Sequence, residues 1–216
     1  MAGSGRRFLM DMLSWLSLAG ICALGAMSPG PSLLIVLRCA AAGFRQGLAC
    51  AIAHGGAIAL YACLTAFGLA ALVTHTPMLF AILQWGGAAM LVYLGWKALR
   101  APAPTSSTAV NTPAPESVSV SRAALQGFGI AFFNPKVAIF FTALFSQFVS
   151  AEQMLSTKLG MAGLAAGIDA IWYALVALLV TLGSGRGWLS AGAAHRLQQV
   201  FGVLLLGLAA RLVFSL

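Results

Sequence analysis

The sequence predicts an all-α integral membrane protein: six transmembrane helices arranged as two inverted three-helix repeats. Three observations carry this reading. The composition is that of a bilayer protein, six stretches are apolar over a membrane's thickness, and the first span of each half is interrupted by proline. Of 216 residues, 61% are hydrophobic and 7% charged, far below the roughly 25% charge of a soluble domain. A bilayer core of about 30 Å needs roughly 20 mostly apolar residues per helix, and residues 12–37, 47–73, 77–96, 123–149, 158–182 and 197–215 meet that demand.

The first span follows Arg6 and Arg7, and Ala23-Leu24-Gly25 has the small residues of a cleavage site. A removable signal peptide is therefore an alternative reading of this span. Cleavage there would leave five spans and discard half of the motif described next.

Inside the first span stands Met27-Ser28-Pro29-Gly30-Pro31-Ser32. Each proline lacks an N–H and crowds the preceding turn, Pro31 pushes Gly30 away from helical geometry, and glycine accepts what results. Two half-helices are expected. Backbone groups freed at such a break must face protein, water or a ligand.

The second span carries His54, whose imidazole type titrates near neutral pH. The third closes on Lys97 and Arg100. From 101 to 121 the chain is Pro-, Ser-, Thr- and Ala-rich, with Pro102, Pro104, Pro113 and Pro115. Such a segment is expected to be an exposed loop. It divides the chain into residues 1–100, the linker 101–121, and residues 122–216. With three spans on each side, related halves have opposite orientations.

The fourth span contains Phe132-Phe133-Asn134-Pro135-Lys136, a proline, an amide and an ammonium within one turn. Arg122 precedes Asn134 by twelve residues, so at about 1.5 Å per residue the motif lies about 18 Å past the inner boundary. Counting back from Arg38 puts Pro29 to Pro31 at a depth of about 10 to 14 Å from the same side, so the two breaks are expected to meet. Paired interrupted spans in the two halves are the sequence pointer to a transporter's solute site. The structural alternative is a simple proline kink in each helix.

Lys136 is the leading candidate, because a cation near mid-membrane is costly and is usually paired or faces a wet cavity. It suits a solute carboxylate, assisted by the half-helix N-termini beyond Pro31 and Pro135. Asp169, in the fifth span, is the one acid within a predicted span. It is the natural partner for Lys136, for a solute ammonium or for a transported proton. The candidate site is thus Pro29, Gly30, Pro31, His54, Asn134, Pro135, Lys136 and Asp169, with Tyr61 and Gln147 as weaker polar candidates. Gly55 and Gly56, Gly86 and Gly87, and Gly163 to Gly167 are read as allowing close helix approach. The last of these strips also suits a homodimer interface.

The twelve Lys and Arg are scattered rather than clustered. No basic stripe with interleaved aromatics suggests nucleic acid. Placing the N-terminus outside puts Arg38, Arg45, Lys97, Arg100, Arg122, Arg186 and Arg196 inside, against Arg6, Arg7, Lys158 and Arg211 outside. Seven against four favours both termini on the outer side, by the rule that cytoplasmic loops are the cationic ones. Cys22, Cys39, Cys50 and Cys63 all lie in the first third, and their spacing fits neither a disulfide framework nor a zinc site. A membrane thiol-disulfide carrier needs a reactive cysteine in each half, and the second half has none. A divalent-metal exporter needs several intramembrane carboxylates or thiolates. Catalytic motifs such as His-Glu-x-x-His or Gly-x-Ser-x-Gly are absent from the sequence, and neither a cofactor nor a metal is expected.

At these residues the chain resembles the lysine exporter (LysE/RhtB) family of amino-acid and homoserine or threonine exporters. The similarity covers nearly the whole chain. It includes Pro29-Gly30-Pro31, the passage from Arg38 to Gly47, Tyr61 to Leu69, Tyr93-Leu94-Gly95 with Lys97, Gly127 to Lys136, and Phe145-Ser146-Gln147-Phe148. The resemblance implies two inverted three-helix repeats in a bacterial inner membrane. It also implies export of amino acids or related compounds, driven by the proton gradient or the membrane potential. The chain departs from the family pattern at Ser32, at Ala53-His54-Gly55-Gly56 where relatives carry an acidic residue, and at Ser146. Those departures bear on solute and coupling more than on fold.

Overall fold

The computed structural model describes residues 12–28, 30–100, 118–150 and 152–183, with further separate positions between 196 and 213. Its elements are helices in the order α1 (Met12–Met27), α2 (Pro31–Ala42), α3 (Phe44–His75), α4 (Pro77–Arg100), α5 (Val120–Phe132), α6 (Pro135–Phe145) and α7 (Leu155–Thr181).

Both proline motifs divide a helix. The pair α1 and α2 bends by 64°, and the pair α5 and α6 by 56°. The cause is local in each case. Pro31 and Pro135 occupy the first turn of the helix that follows, where the missing N–H is no loss and the fixed φ already suits a helix. Gly30 precedes α2 with extended backbone, φ −177°. Asn134 precedes α6, and its side-chain Oδ1 accepts the Lys136 N–H at 3.0 Å, an N-cap that satisfies one of the donors a helix start leaves open.

Among the described residues, α3 over Phe44–Leu69 and α7 over Leu155–Thr181 are each long and apolar enough to cross a bilayer, and the number of candidate spans is four if each bent pair is counted as one. The third expected span coincides with α4. The sixth, and the 101–121 linker up to residue 117, fall mainly outside the described residues. Boundaries shift by a few residues, and the shift matters most where α2 runs on to Ala42 and the second span begins at Phe44 rather than Gly47. Gly43 alone turns the chain between α2 and α3. Its φ of +148° is open to glycine and rarely to other residues, so the expected loop shrinks to one position.

Helix α3 is the central element, and small residues let its neighbours reach it. A methyl added at Gly47 would stand 2.8 Å from the Ala177 Cβ of α7 and 2.9 Å from the Ala40 Cα of α2. One at Gly55 would meet the Ala170 Cβ at 2.7 Å and the Ala166 carbonyl at 3.1 Å. One at Gly127 of α5 would fall 2.2 Å from the Cys50 carbonyl oxygen, so α5 and α3 touch backbone to backbone. Gly95 of α4 and Gly202 meet reciprocally, each added methyl lying 2.8 Å from the other residue's carbonyl oxygen. The glycines singled out from sequence divide differently. Gly55 serves close packing, but methyls at Gly56, Gly86, Gly163 and Gly167 would meet nothing within 4 Å. Glycine spacing tells which residues share a helix face, and it does not tell whether another helix covers that face.

Candidate functional site

The two breaks open on one cavity of about 60 Å³, walled by α1, α2, α3, α6 and α7. Since about 15 Å³ on this measure admits one water molecule, the space holds several. Of the residues proposed from sequence, Gly30, Pro31, His54, Asn134, Lys136 and Asp169 line it. Pro29 lies outside the described residues, and Pro135 opens α6 beside the cavity lining at Asn134 and Lys136. Tyr61 and Gln147 are not in its wall. The Tyr61 ring packs against Phe132, centroids 5.6 Å apart.

Lys136 reaches from α6 across to the other break, where its Nζ donates to Ser28 Oγ at 2.8 Å. Gly30 leaves room beside this ammonium: a methyl there would lie 3.9 Å from Nζ. The N-termini of α2 and α6 both border the cavity through Gly30, Pro31 and Ser32 on one side and Asn134 and Lys136 on the other. Helix N-termini carry partial positive charge and unpaired N–H groups. With Lys136 they gather N–H donors and positive charge on this side of the cavity.

The opposite wall is built around an acid. Asp169 on α7 and His54 on α3 are 6% and 2% exposed, and His54 Nδ1 lies 2.6 Å from Asp169 Oδ2. The sequence offered Lys136, a solute ammonium or a transported proton as partners for Asp169, and the structure places His54 against the carboxylate. The reason is the α3–α7 crossing. Gly55 brings α3 against Ala166 and Ala170, which delivers the adjacent His54 to the carboxylate between them. The second imidazole nitrogen, Nε2, is buried with no hydrogen-bond partner among the described residues.

Three hydroxyl-bearing lining residues escaped the sequence reading as site members. Ser28 and Ser32 lay in plain view within the proline motif, but nothing in one dimension showed that Ser28 would meet Lys136. Tyr173 had a usable signal: it stands four residues after Asp169, hence on the same helix face. Its ring meets the His54 ring edge-on, centroids 4.8 Å apart, and its hydroxyl neighbours Ser32. The rest of the wall is apolar, notably Ile58, Val137, Phe140 and Phe141. The chemistry is that of selective holding: a cationic corner, a buried imidazole–carboxylate pair and an apolar surface between. Among the described residues, no group of three His, Cys, Asp or Glu side chains is placed to hold a metal ion.

The family model described as LysE type translocator matches residues 23–216. A membrane protein of Vibrio cholerae is 28% identical over 201 residues, covering 92% of this chain and 95% of its own. The threonine efflux protein of Escherichia coli strain K12 is 27% identical over 180 residues, covering 79% and 84%. A membrane protein of Pseudomonas aeruginosa is 37% identical over a shorter stretch of 133 residues, 56% of this chain and 57% of its own. No solved structure matches the chain. Because the family match runs from the first helix to the last residue, and the apolar helices are those of a multi-pass membrane protein, the chain belongs to the LysE type translocators.

Proposed function

We propose that this translocator exports amino acids or close derivatives across a bacterial inner membrane, with uptake of protons or the membrane potential as the driving force. The observation that carries the reading is the single cavity joining both helix breaks, with Lys136 on one side and the His54–Asp169 pair on the other. An amino acid has a carboxylate for the first and an ammonium for the second. The apolar wall of Ile58, Val137, Phe140 and Phe141 suits a small side chain. A relative named threonine efflux protein supports this solute class.

In this reading Pro29, Gly30, Pro31, Asn134 and Pro135 shape the site, and Lys136, Asp169 and His54 contact the solute or the proton. Residues 1–100 and 122–216 are the two inverted repeats, the 101–121 linker is cytoplasmic, and both termini face the periplasm. The Gly163 to Gly167 strip is the homodimer face of this arrangement. Counterflow into proteoliposomes loaded with each of a panel of amino acids and small amines tests the solute class. Stimulated uptake of at least one amino acid is expected, and its failure across the whole panel overturns the reading.

A further inference from the structure

We infer that His54 Nε2 is a shared acceptor, occupied alternately by a proton and by the ammonium group of the exported solute, so that the two exclude each other. This rests on the amino-acid export reading above and assigns its coupling to one atom. Three features of the site point there. His54 lines the cavity, its Nδ1 is held by Asp169, and its Nε2 is buried with no partner among the described residues. A buried polar nitrogen without a partner is costly, and the residue that carries this one lines a cavity. A donor in that cavity removes the cost.

The Asp169 contact makes the exclusion sharp. In this proposal one proton is held between Nδ1 and Oδ2, so that Nε2 is either a bare lone pair or a second N–H. With the lone pair bare, the imidazole and carboxylate together carry one negative charge and accept an N–H from an ammonium. With Nε2 protonated, the pair is neutral and offers the ammonium a donor instead of an acceptor. Binding of the solute to the protonated form therefore breaks the Nε2–H bond and releases that proton to water on the side from which the solute enters. The return leg takes up a proton from the other side. The solute is a zwitterion, so one positive charge moves inward for each solute exported, which ties the cycle to membrane potential as well as to pH.

The other titratable and charged groups around the pair are few. Helix α7 presents Tyr173 beside Asp169 and α6 presents Lys136. Helix α1 contributes Cys22, α2 contributes Cys39 and α3 itself Cys50. The charged residue of α5, Arg122, lies in its first turn.

Calorimetry on the purified full-length protein, with L-threonine as probe and buffers of different ionisation enthalpy, counts the protons released on binding. The wild type is expected to release close to one proton per L-threonine at acid pH, with apparent affinity falling up to about tenfold per pH unit. His54→Gln should bind with no proton release and a flat pH profile. Asp169→Asn keeps an oxygen against Nδ1 and removes the charge, so it should displace the profile towards acid rather than abolish it. Binding by the wild type without proton release overturns the inference and leaves the export reading standing. So does unchanged release in His54→Gln. Absence of binding by L-threonine and by every other amino acid tried overturns the export reading and this inference together.

Discussion

Replacing Lys136 by Ala removes the cation that the cavity wall carries among the described residues, and the expected loss can be worked from its surroundings. In the wild type the ammonium touches Ser28 Oγ at 2.8 Å and has open space beside Gly30, so it reaches a bound carboxylate without rearrangement. A hydrogen bond to a charged group contributes about 1.5 to 3 kcal/mol, which corresponds to about 10- to 150-fold in affinity. Folding should be spared. Ser28 loses a donor, which water in the cavity it lines can replace, and the N-cap from Asn134 to the residue-136 backbone N–H does not depend on the side chain. Lys136→Arg should rescue poorly, because a planar fork needs more room than a point ammonium and Ser28 already bounds it at hydrogen-bond distance. The assay is binding of radiolabelled L-threonine, followed by counterflow at matched membrane abundance. If Lys136→Ala binds within threefold of the wild type and transports normally, the cationic corner is not where the solute sits.

Gly127→Ala should sharply reduce membrane abundance, because its new methyl falls 2.2 Å from a backbone oxygen of α3; Gly129→Ala, with nothing within 4 Å, should not, and quantitative immunoblots of membranes compare the two. Asn134→Ala deletes the cap of α6 and should lower thermal stability of the purified protein by about 1 kcal/mol, read as a drop in Tm with a smaller effect on binding than Lys136→Ala. Replacing Cys22, Cys39, Cys50 and Cys63 by Ala or Ser should leave counterflow intact, since a thiol carrier needs a reactive cysteine in each half and the second half has none; loss of transport on a single replacement with normal insertion would bring that alternative forward. A reporter active in the periplasm alone, fused at Ser107, should stay dark, and activity there would reverse the proposed orientation.

What the sequence made legible was whatever a residue enforces on its own chain. Pro31 and Pro135 break helices wherever they stand, Gly30 and Asn134 mark the starts of the halves that follow, and a lysine in an apolar span announces that something must receive it. What stayed hidden depends on which helix crosses which. His54 and Asp169 are 115 positions apart, and their meeting is decided by Gly55 against Ala166 and Ala170, three small residues with no chemistry of their own. Opposite charges in a short list of intramembrane ions invite pairing by elimination, but the helix crossings also offer each a partner of another kind: a hydroxyl for the ammonium of Lys136 and an imidazole for the carboxylate of Asp169. In the export reading proposed above, those two groups face the two ends of a zwitterion.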